Sequence, residues 1–171
     1  MHLALHEQGL ALETTSALGD ETVGGALATA THNTGRGQGV MASYATAITL
    51  MAADGSLHKL KPASEEKSIG AFEYALCGLG TLGVIVEASF ATVPAFRLHK
   101  TVRDLPLAEL LGPEMQPVLE SASSRVLFFV DPFARSVRLF QREVTEEPVT
   151  GAWDEQGTDS SKFEGPWGAY R

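Results

Sequence analysis

The chain has 171 residues, of which 44% are hydrophobic and 20% are charged, so it has room for one globular domain or for a domain and the start of a second. This composition excludes disordered and fibrous proteins. Thirteen Lys and Arg residues against 21 Asp and Glu residues give a formal net charge of −8, so a polyanion is repelled on average. We therefore expect no nucleic-acid partner.

Cysteine content and the length of apolar runs further restrict the class of protein. The single cysteine, Cys77, excludes an internal disulfide, and no His/Cys cluster has the spacing of zinc ligands, so no metal site is predicted. No stretch approaches the ~18 apolar residues of a membrane helix, and residues 1–7 lack the basic start of a leader. We expect a soluble, cytoplasmic protein without a membrane-spanning segment.

The first residues are typical of the last turns of a helix that Gly9 closes, followed by a strand over 10–14. Because the chain opens inside an element, we expect further sequence to precede Met1.

Residues 22–35 form a run of 14 mostly small residues without formal charge, Thr-Val-Gly-Gly-Ala-Leu-Ala-Thr-Ala-Thr-His-Asn-Thr-Gly. Small side chains let the backbone approach another surface, and the threonines add hydroxyl groups. The run is either a tightly packed turn between buried strands, which the residues alone favour, or a surface that binds a flat polar ligand.

The next segment predicts a hairpin and a helix. Residues 43–52 and 57–60 read as strands joined by Asp54-Gly55, a pair that accepts the positive φ angles of a type I′ turn. A helix over 65–77 is expected after the capping residue Ser64. Its predicted buried face consists of Ile69, Phe72 and Leu76.

Residues 78–83 match the dinucleotide pattern G-x-G-x-x-G, but their context is wrong. That fingerprint follows a strand and opens a helix. Here a helix precedes it and a strand over 84–90 follows. A Rossmann site is therefore not expected.

The remaining chain predicts a strand over 97–102 after Pro94 and a helical stretch over 105–122 that breaks at Gly112-Pro113. A second hairpin is predicted over 125–130 and 136–142. An acidic tail follows, which we expect to be flexible.

Four motifs in order resemble the sugar-lactone and alditol oxidases of the vanillyl-alcohol-oxidase flavoprotein family, with the gulonolactone and arabinonolactone oxidases as the nearest branch. They are Thr22 to Gly35, Thr49 to Gly55, Gly78 to Ile85 and Val93 to Leu98. The resemblance implies an α+β fold: the second subdomain of a PCMH-type FAD-binding domain, an antiparallel sheet flanked by helices, plus the start of a substrate domain. The implied division is 1–105, 106–145 and the tail 146–171.

The resemblance also implies FAD as the cofactor. By motif match, the residues expected to line it are Thr22, Gly24, Gly25, Ala26, Thr29, Ala30, Thr31, His32, Val84 and Ile85. The last two are expected to use their backbone. Ser16 aligns with the small residue that gates access of oxygen to the flavin in this family.

Two family features have no match in the sequence. The glycine-rich loop with a flavin-attaching histidine is absent before Thr22, and His2 and His6 lack glycines around them. The run 22–35 contains no Lys or Arg that could neutralise the FAD pyrophosphate, so backbone amides of the missing loop are expected to bind this group. The polar and basic residues that complete catalysis are equally missing, so no catalytic residue is nominated.

The function implied is oxidation of a sugar lactone or polyol by an FAD-dependent oxidoreductase, of which this chain is a part that is incomplete for catalysis alone. The alternative is a noncatalytic remnant or subunit that binds a protein partner. In both cases self-association through an exposed subdomain face is expected. The sequence identifies neither the substrate, the electron acceptor nor the mode of flavin attachment.

Overall fold

The computed structural model describes residues 1–16, 21–63, 69–121 and 124–148. Its helices are α1 (His2–His6), α2 (Val23–Ala28), α3 (Ala71–Ala75), α4 (Leu107–Leu110) and α5 (Gln116–Glu120). Its strands are β1 (Leu10–Ala11), β2 (Ala45–Met51), β3 (Leu57–Leu60), β4 (Val84–Phe90), β5 (Val93–Pro94), β6 (Arg97–Pro106), β7 (Ser124–Asp131) and β8 (Ser136–Thr145). The predicted α+β class is confirmed.

All strand pairs are antiparallel and form three sheets among the described residues. The strand orders are β1-β5, β3-β2-β4 and β6-β8-β7. The central strand β2 is the most buried of its sheet, because α2 and α3 pack on one of its faces. The core at this place consists of Leu27, Ala42, Ala45, Ile48, Leu50, Phe72 and Ala75.

The first hairpin is confirmed, but its turn differs from the prediction. Only Gly55 of the Asp54-Gly55 pair has a positive φ, at 84°. The amide of Gly55 donates to the carbonyl of Ala52 over 3.0 Å, and the carboxylate of Asp54 accepts from the amide of Ser56 over 2.9 Å. A type I′ turn needs two positive φ angles, so that part of the prediction is wrong.

The predicted helix over 65–77 is too long. The helix α3 has five residues, and the expected cap Ser64 and residues 65–68 lie outside the described residues. Ile69 is 67% exposed and precedes the helix, whereas Phe72 is buried as predicted. The carboxylate of Glu73 accepts hydrogen bonds from the amides of Gly70 (2.8 Å) and Ala63 (3.0 Å), which fixes the start of the helix.

Those amides also affect the acidity of Glu73. The hydrogen bond from Ala63 is the largest cause that holds the pKa of this carboxyl below its usual range, and the bond from Gly70 adds to it. The carboxylate form is therefore the one that caps α3.

Two further strand boundaries differ from the predictions. The strand predicted over 10–14 is shorter, since β1 contains only Leu10 and Ala11. The strand predicted over 97–102 is longer, since β6 extends from Arg97 to Pro106. The strand predicted over 84–90 is confirmed as β4, and Pro94 lies in β5, opposite Leu10 of β1.

The second half of the structure is the sheet β6-β8-β7 with α4 and α5. The hairpin is confirmed, and the carboxylate of Asp131 accepts from the amides of Phe133 and Ala134, both over 2.9 Å. The helical stretch does break at Gly112, where a short 3-10 turn follows. Of the predicted tail, residues 149–171 lie outside the described residues, and the domain boundary stays a prediction.

Candidate functional site

The small-residue run contains a helix, which neither interpretation of the sequence predicted. Thr22 is the N-cap of α2, and its side-chain oxygen accepts a hydrogen bond from the amide of Gly25 over 3.1 Å. Ala26 and Leu27 are buried on the inner side of the helix. Thr22, Gly25 and Thr29 are exposed, so the accessible side of α2 carries small uncharged groups.

The two adjacent glycines have different surroundings. A Cβ atom on Gly24 would lie 3.3 Å from the carbonyl oxygen of Ile85, so this glycine permits close packing of α2 on β4. A Cβ atom on Gly25 would lie 3.0 Å from the capping oxygen of Thr22. Gly24 is therefore explained by packing, while Gly25 lies at the accessible surface of the run.

The segment that leaves α2 is held by polar contacts. The hydroxyl of Thr29 donates to the carbonyl of Gly25 over 2.8 Å, and Ala30 follows with a φ of 56°. The hydroxyl of Thr31 donates to the carboxylate of Glu21 over 3.0 Å. These contacts fix the backbone where a chain of small residues would otherwise be mobile.

His32 is exposed in the structure, and its Nδ1 lies 2.9 Å from the carbonyl oxygen of Asn33. The ring is therefore oriented by its own loop rather than packed in the core. Its Nε2 atom is on the other side of the ring and remains available for a ligand.

The glycine motif is fastened directly to the end of α2. The amide of Cys77 donates to the carbonyl of Leu27 over 2.8 Å, and the amide of Leu79 donates to the carbonyl of Ala28 over 3.0 Å. Cys77 and Leu79 have φ values of 55° and 53°, which L-residues rarely adopt. Strained backbone of this kind is concentrated at functional sites.

Each glycine of the motif has a local structural reason. A Cβ atom on Gly78 would lie 2.5 Å from the carbonyl oxygen of Tyr74, and Gly80 has a φ of 73°. Gly83 has a φ of 143°, and a Cβ atom there would collide with the carbonyl oxygen of Met51. Since α3 precedes the motif and β4 follows it, the predicted order of elements, which is the reverse of that around a Rossmann fingerprint, is confirmed.

Val84 and Ile85 begin β4 beside α2. Val84 pairs with Met51 and is 60% exposed, whereas Ile85 pairs with Leu50 and packs against the core. Leu57 pairs with Met51 on its other side. Leu57, Met51 and Val84, which we call the apolar row, are 63%, 38% and 60% exposed on one face of the sheet.

The structure thus brings together most of the residues nominated from the sequence. The α2 segment, the loop after it and the start of β4 form one continuous surface, joined by the contact of Gly24 with Ile85. Ser16 is half-buried, and its carbonyl accepts a hydrogen bond from the hydroxyl of Thr15 over 3.3 Å. Residues 17–20, which connect it to this surface, lie outside the described residues.

This surface fits a flat, polar, uncharged ligand face. Its exposed side chains are no larger than threonine over Thr22 to Thr29, and Gly25 is exposed beside the capping oxygen of Thr22. Small residues and hydroxyl groups are suited to stacking against a planar ring system and to hydrogen bonding at its edge. The surface carries no cation, so it is not suited to a pyrophosphate.

Two cavities lie among the described residues, and neither is lined by a residue nominated for ligand contact. One has a volume of about 430 Å³ and is lined by Ile69, Gly70, Ala71, Tyr74, Thr81 and Leu82. The other, of about 70 Å³, includes Thr14, Arg125 and Arg142 among its lining residues. Neither cavity was predicted from the sequence.

Neither a metal cluster nor a membrane helix is found in the part of the chain that the structure describes. No group of three or more His, Cys, Asp or Glu side chains is arranged to hold a metal ion there. Within the same residues, no helix combines the length and the apolar character needed to cross a membrane.

Comparison with known proteins gives sequence and fold relatives. The chain is 35% identical over 158 residues to L-gulonolactone oxidase from Mus musculus, which covers 90% of this chain and 35% of that protein. It is 30% identical over 146 residues to D-arabinono-1,4-lactone oxidase from Yarrowia lipolytica, covering 85% of this chain and 27% of that protein. No family model matches the chain.

Among solved structures, a mutant of cholesterol oxidase from Brevibacterium sterolicum matches 86% of this chain and 30% of that chain, with a TM-score of 0.68 and 20% identity. This match confirms the fold, and the sequence matches confirm the resemblance to lactone oxidases. The chain spans about a third of the length of the curated relatives it matches.

Proposed function

We propose that this chain, whose homologues include L-gulonolactone and D-arabinono-1,4-lactone oxidases, is the flavin-holding part of an FAD-dependent oxidoreductase of sugar lactones or polyols. Residues 1–105 then belong to the FAD-binding domain and residues 106–145 to the start of the substrate domain. The observation that carries the proposal is the exposed, uncharged surface of α2, fixed against β4 and the loop at 77–79.

FAD supplies the acceptor for a hydride from the carbon that bears the substrate hydroxyl. The contribution of this chain is to bind and orient the ring. Gly25 leaves space for it, and the hydroxyls of Thr22 and Thr29 border that space. Ala26, which is buried, and Gly24, which faces Ile85, act only through the backbone.

The remaining nominated residues border the same surface. Ala30 and Thr31 set the course of the chain after α2, and His32 offers the free side of its ring. Val84 and Ile85 present the backbone at the start of β4. The exposed thiol of Cys77 suits a reducing cytoplasm, the compartment we propose.

The proposal is tested by titrating the purified chain with FAD and following the quenching of flavin fluorescence. We expect saturable binding that Gly25→Val abolishes, because the side chain occupies the ligand's space. Circular dichroism shows whether the variant keeps its fold. Ala53→Val, at the exposed turn of the first hairpin, is the matched control and should bind like the unmodified chain. Equal binding by Gly25→Val, or no saturable binding by the unmodified chain, contradicts the proposal.

A second candidate is a noncatalytic module that binds a protein partner or a second copy of itself. The apolar row favours it, because three large apolar side chains in one row are exposed on a sheet face. The two candidates differ in an easily measured property. A yellow protein that retains flavin supports the oxidoreductase, while a colourless protein that associates through the row supports the module.

A further inference from the structure

The smaller cavity lies where the two halves of the structure meet, and we call it the seam cavity. Its volume is about 70 Å³, several times the ~10–15 Å³ that one water molecule requires. Its polar lining residues come from distant parts of the sequence and are Glu13, Thr14, Thr15, Asn33, Arg125 and Arg142. The backbone holds the seam closed, since the amide of Val126 donates to the carbonyl of Thr34 over 3.1 Å.

Thr14 provides the first sign that the seam cavity takes a ligand. The residue is only 4% exposed, and its hydroxyl oxygen has no hydrogen-bond partner among the described residues. Buried hydroxyls are almost always satisfied, so an unpartnered one in a cavity wall indicates a missing partner. A hydroxyl can donate to an anion or exchange hydrogen bonds with water.

The two arginines provide the second sign. Arg125 of β7 and Arg142 of β8 are directly opposite each other in the strand register. Like charges in such a cross-strand pair destabilise a sheet unless something neutralises them. The ion pairs found in the described residues involve other groups, so neither guanidinium is paired with a carboxylate there.

The positions of the two guanidinium groups are restricted. Arg125 lies over the ring of Phe96, with its guanidinium carbon 5.1 Å from the ring centroid. Arg142 is half-buried, and this burial lowers the pKa of its guanidinium. A cation that is desolvated in this way is stabilised by an anion in contact with it.

The one carboxylate in the cavity wall does not fulfil that role. Glu13 is exposed and forms no ion pair with Arg125 or Arg142 in the described structure. Two cations against one carboxylate leave the wall with a net charge of +1. An anion is therefore favoured over water alone as the occupant.

We propose that the seam cavity binds a small oxyanion, a carboxylate or a phosphate, between the guanidinium groups of Arg125 and Arg142 and the hydroxyl of Thr14. Guanidinium groups match both kinds of oxyanion through paired N–H donors. The cavity admits the anionic group itself and little more. None of its lining residues is nominated for flavin contact, and its test does not depend on the flavin.

The experiment is a calorimetric titration of the full chain with inorganic phosphate and, separately, with acetate, at constant ionic strength. We expect saturable binding of at least one probe, weakened about tenfold or more by Arg125→Gln and by Arg142→Gln, since each removes a charge-assisted hydrogen bond. Thr14→Val, which keeps the shape and removes the hydroxyl, should also weaken it. Stronger binding of phosphate identifies a phosphate-bearing ligand, and stronger binding of acetate identifies a carboxylate.

The control is Arg103→Gln, because the Arg103 side chain contacts the sulfur of Met115 and does not line the seam cavity. It should bind both probes like the unmodified chain. If a variant does not fold, the unmodified chain is tested by thermal unfolding instead. Phosphate or acetate should then raise its thermal midpoint more than chloride does at equal ionic strength. Probe heats and thermal shifts no larger than those of chloride would mean that the cavity holds water only, which overturns the proposal.

Discussion

The carbonyl of Leu27, at the end of α2, accepts a hydrogen bond of 2.8 Å from the amide of Cys77. The next carbonyl of the helix end, that of Ala28, accepts from the amide of Leu79 over 3.0 Å. Leu27 and Cys77 lie 50 residues apart in the sequence, and these bonds join their two segments as one backbone unit. The left-handed φ values of Cys77 and Leu79 are the cost of presenting both amides to the helix end.

We predict that Leu79→Gly stabilises the protein by about 0.5–1 kcal/mol. The left-handed conformation costs an L-residue about 1–2 kcal/mol, and the added freedom of glycine in the unfolded chain offsets about half of this gain. Leu79 is 74% exposed, so little burial is lost. Chemical denaturation measures the change. Leu82→Gly, at an exposed position without a positive φ, should destabilise the protein, and equal effects at both positions would contradict the prediction.

Gly83→Ala should destabilise the protein by more than about 2 kcal/mol. The methyl group would collide with the carbonyl oxygen of Met51, and the φ of 143° is unfavourable for alanine. Gly80→Ala is the comparison, because a Cβ atom there meets nothing closer than the carbonyl oxygen of Gly83 at 3.9 Å. Its left-handed φ costs about 1–2 kcal/mol. Thermal unfolding of the two variants should rank them in this order, and the reverse order would refute the steric account.

The stability contributed by the ion pair of Asp104 and Arg138 should disappear in acid. Two hydrogen bonds of 2.7 and 2.6 Å join the groups, and the bond from Arg138 is the largest cause that lowers the pKa of the Asp104 carboxyl. A lowered folded-state pKa gives stability that is present above the unfolded value of about 3.9 and is lost as the pH falls through the folded value. Because the Asp104 side chain is exposed and Arg138 is only half-buried, the contribution is about 0.2–1 kcal/mol.

Urea denaturation of the unmodified chain and of Asp104→Asn measures this effect. The variant should be less stable at pH 7, and the difference should shrink as the pH falls below the unfolded value of about 3.9 and vanish once it is below the folded-state pKa. The effect of Glu73, whose pKa is also lowered, is common to both proteins and cancels. A difference that persists unchanged in acid would show that the Asp104 side chain acts through packing.

The apolar row should bind a hydrophobic dye. Val84→Thr retains the shape and β-propensity of the side chain while reducing its apolar surface, so dye fluorescence should fall. Val144→Thr, which alters another valine that is 53% exposed on a different sheet, should have a smaller effect. If the two variants change the fluorescence equally, the row is not a distinct surface.

The resemblance to lactone oxidases also gives Ser16 a testable role. In a flavin-loaded enzyme, we predict slow reoxidation of the reduced flavin by air, because serine at this position is larger than glycine or alanine. Ser16→Gly should accelerate reoxidation in stopped-flow absorbance, and Ser16→Ala should have a smaller effect. Equal rates in all three proteins would mean that Ser16 does not gate oxygen.

The sequence predicted elements whose signals are local. The pair Asp54-Gly55 indicates the first hairpin, and Asp131 with Pro132 indicates the second, because turn residues act over a few positions. The helix α2 was missed since Val-Gly-Gly-Ala has poor helix propensity over only six residues. The helix forms for two reasons. Thr22 caps it, which is a local signal that the prediction did not use, and Leu27 is fully buried, which is a tertiary effect.

Interactions over long sequence distances could not be predicted. The spacing of Ile69, Phe72 and Leu76 is helical, yet Ile69 is 67% exposed because α3 begins only after Gly70. The seam cavity joins side chains from residues 12 to 142, and no periodicity connects them. Motif resemblance located the proposed flavin surface because its residues are consecutive in the sequence.

The hydrogen bond from Val126 to Thr34 makes one amide a reporter of how the two halves of the structure are held together. β7 is an edge strand, and β8 pairs with it on one side only. The amide of Val126 nevertheless donates to the loop that follows α2, beside the bridge between Gly35 and Arg125. Its deuterium exchange rate therefore measures opening of the seam rather than fraying of the sheet. Slower exchange at this single amide on addition of FAD or phosphate would show that a ligand on the proposed flavin surface or in the seam cavity strengthens the contact between the two halves of the structure.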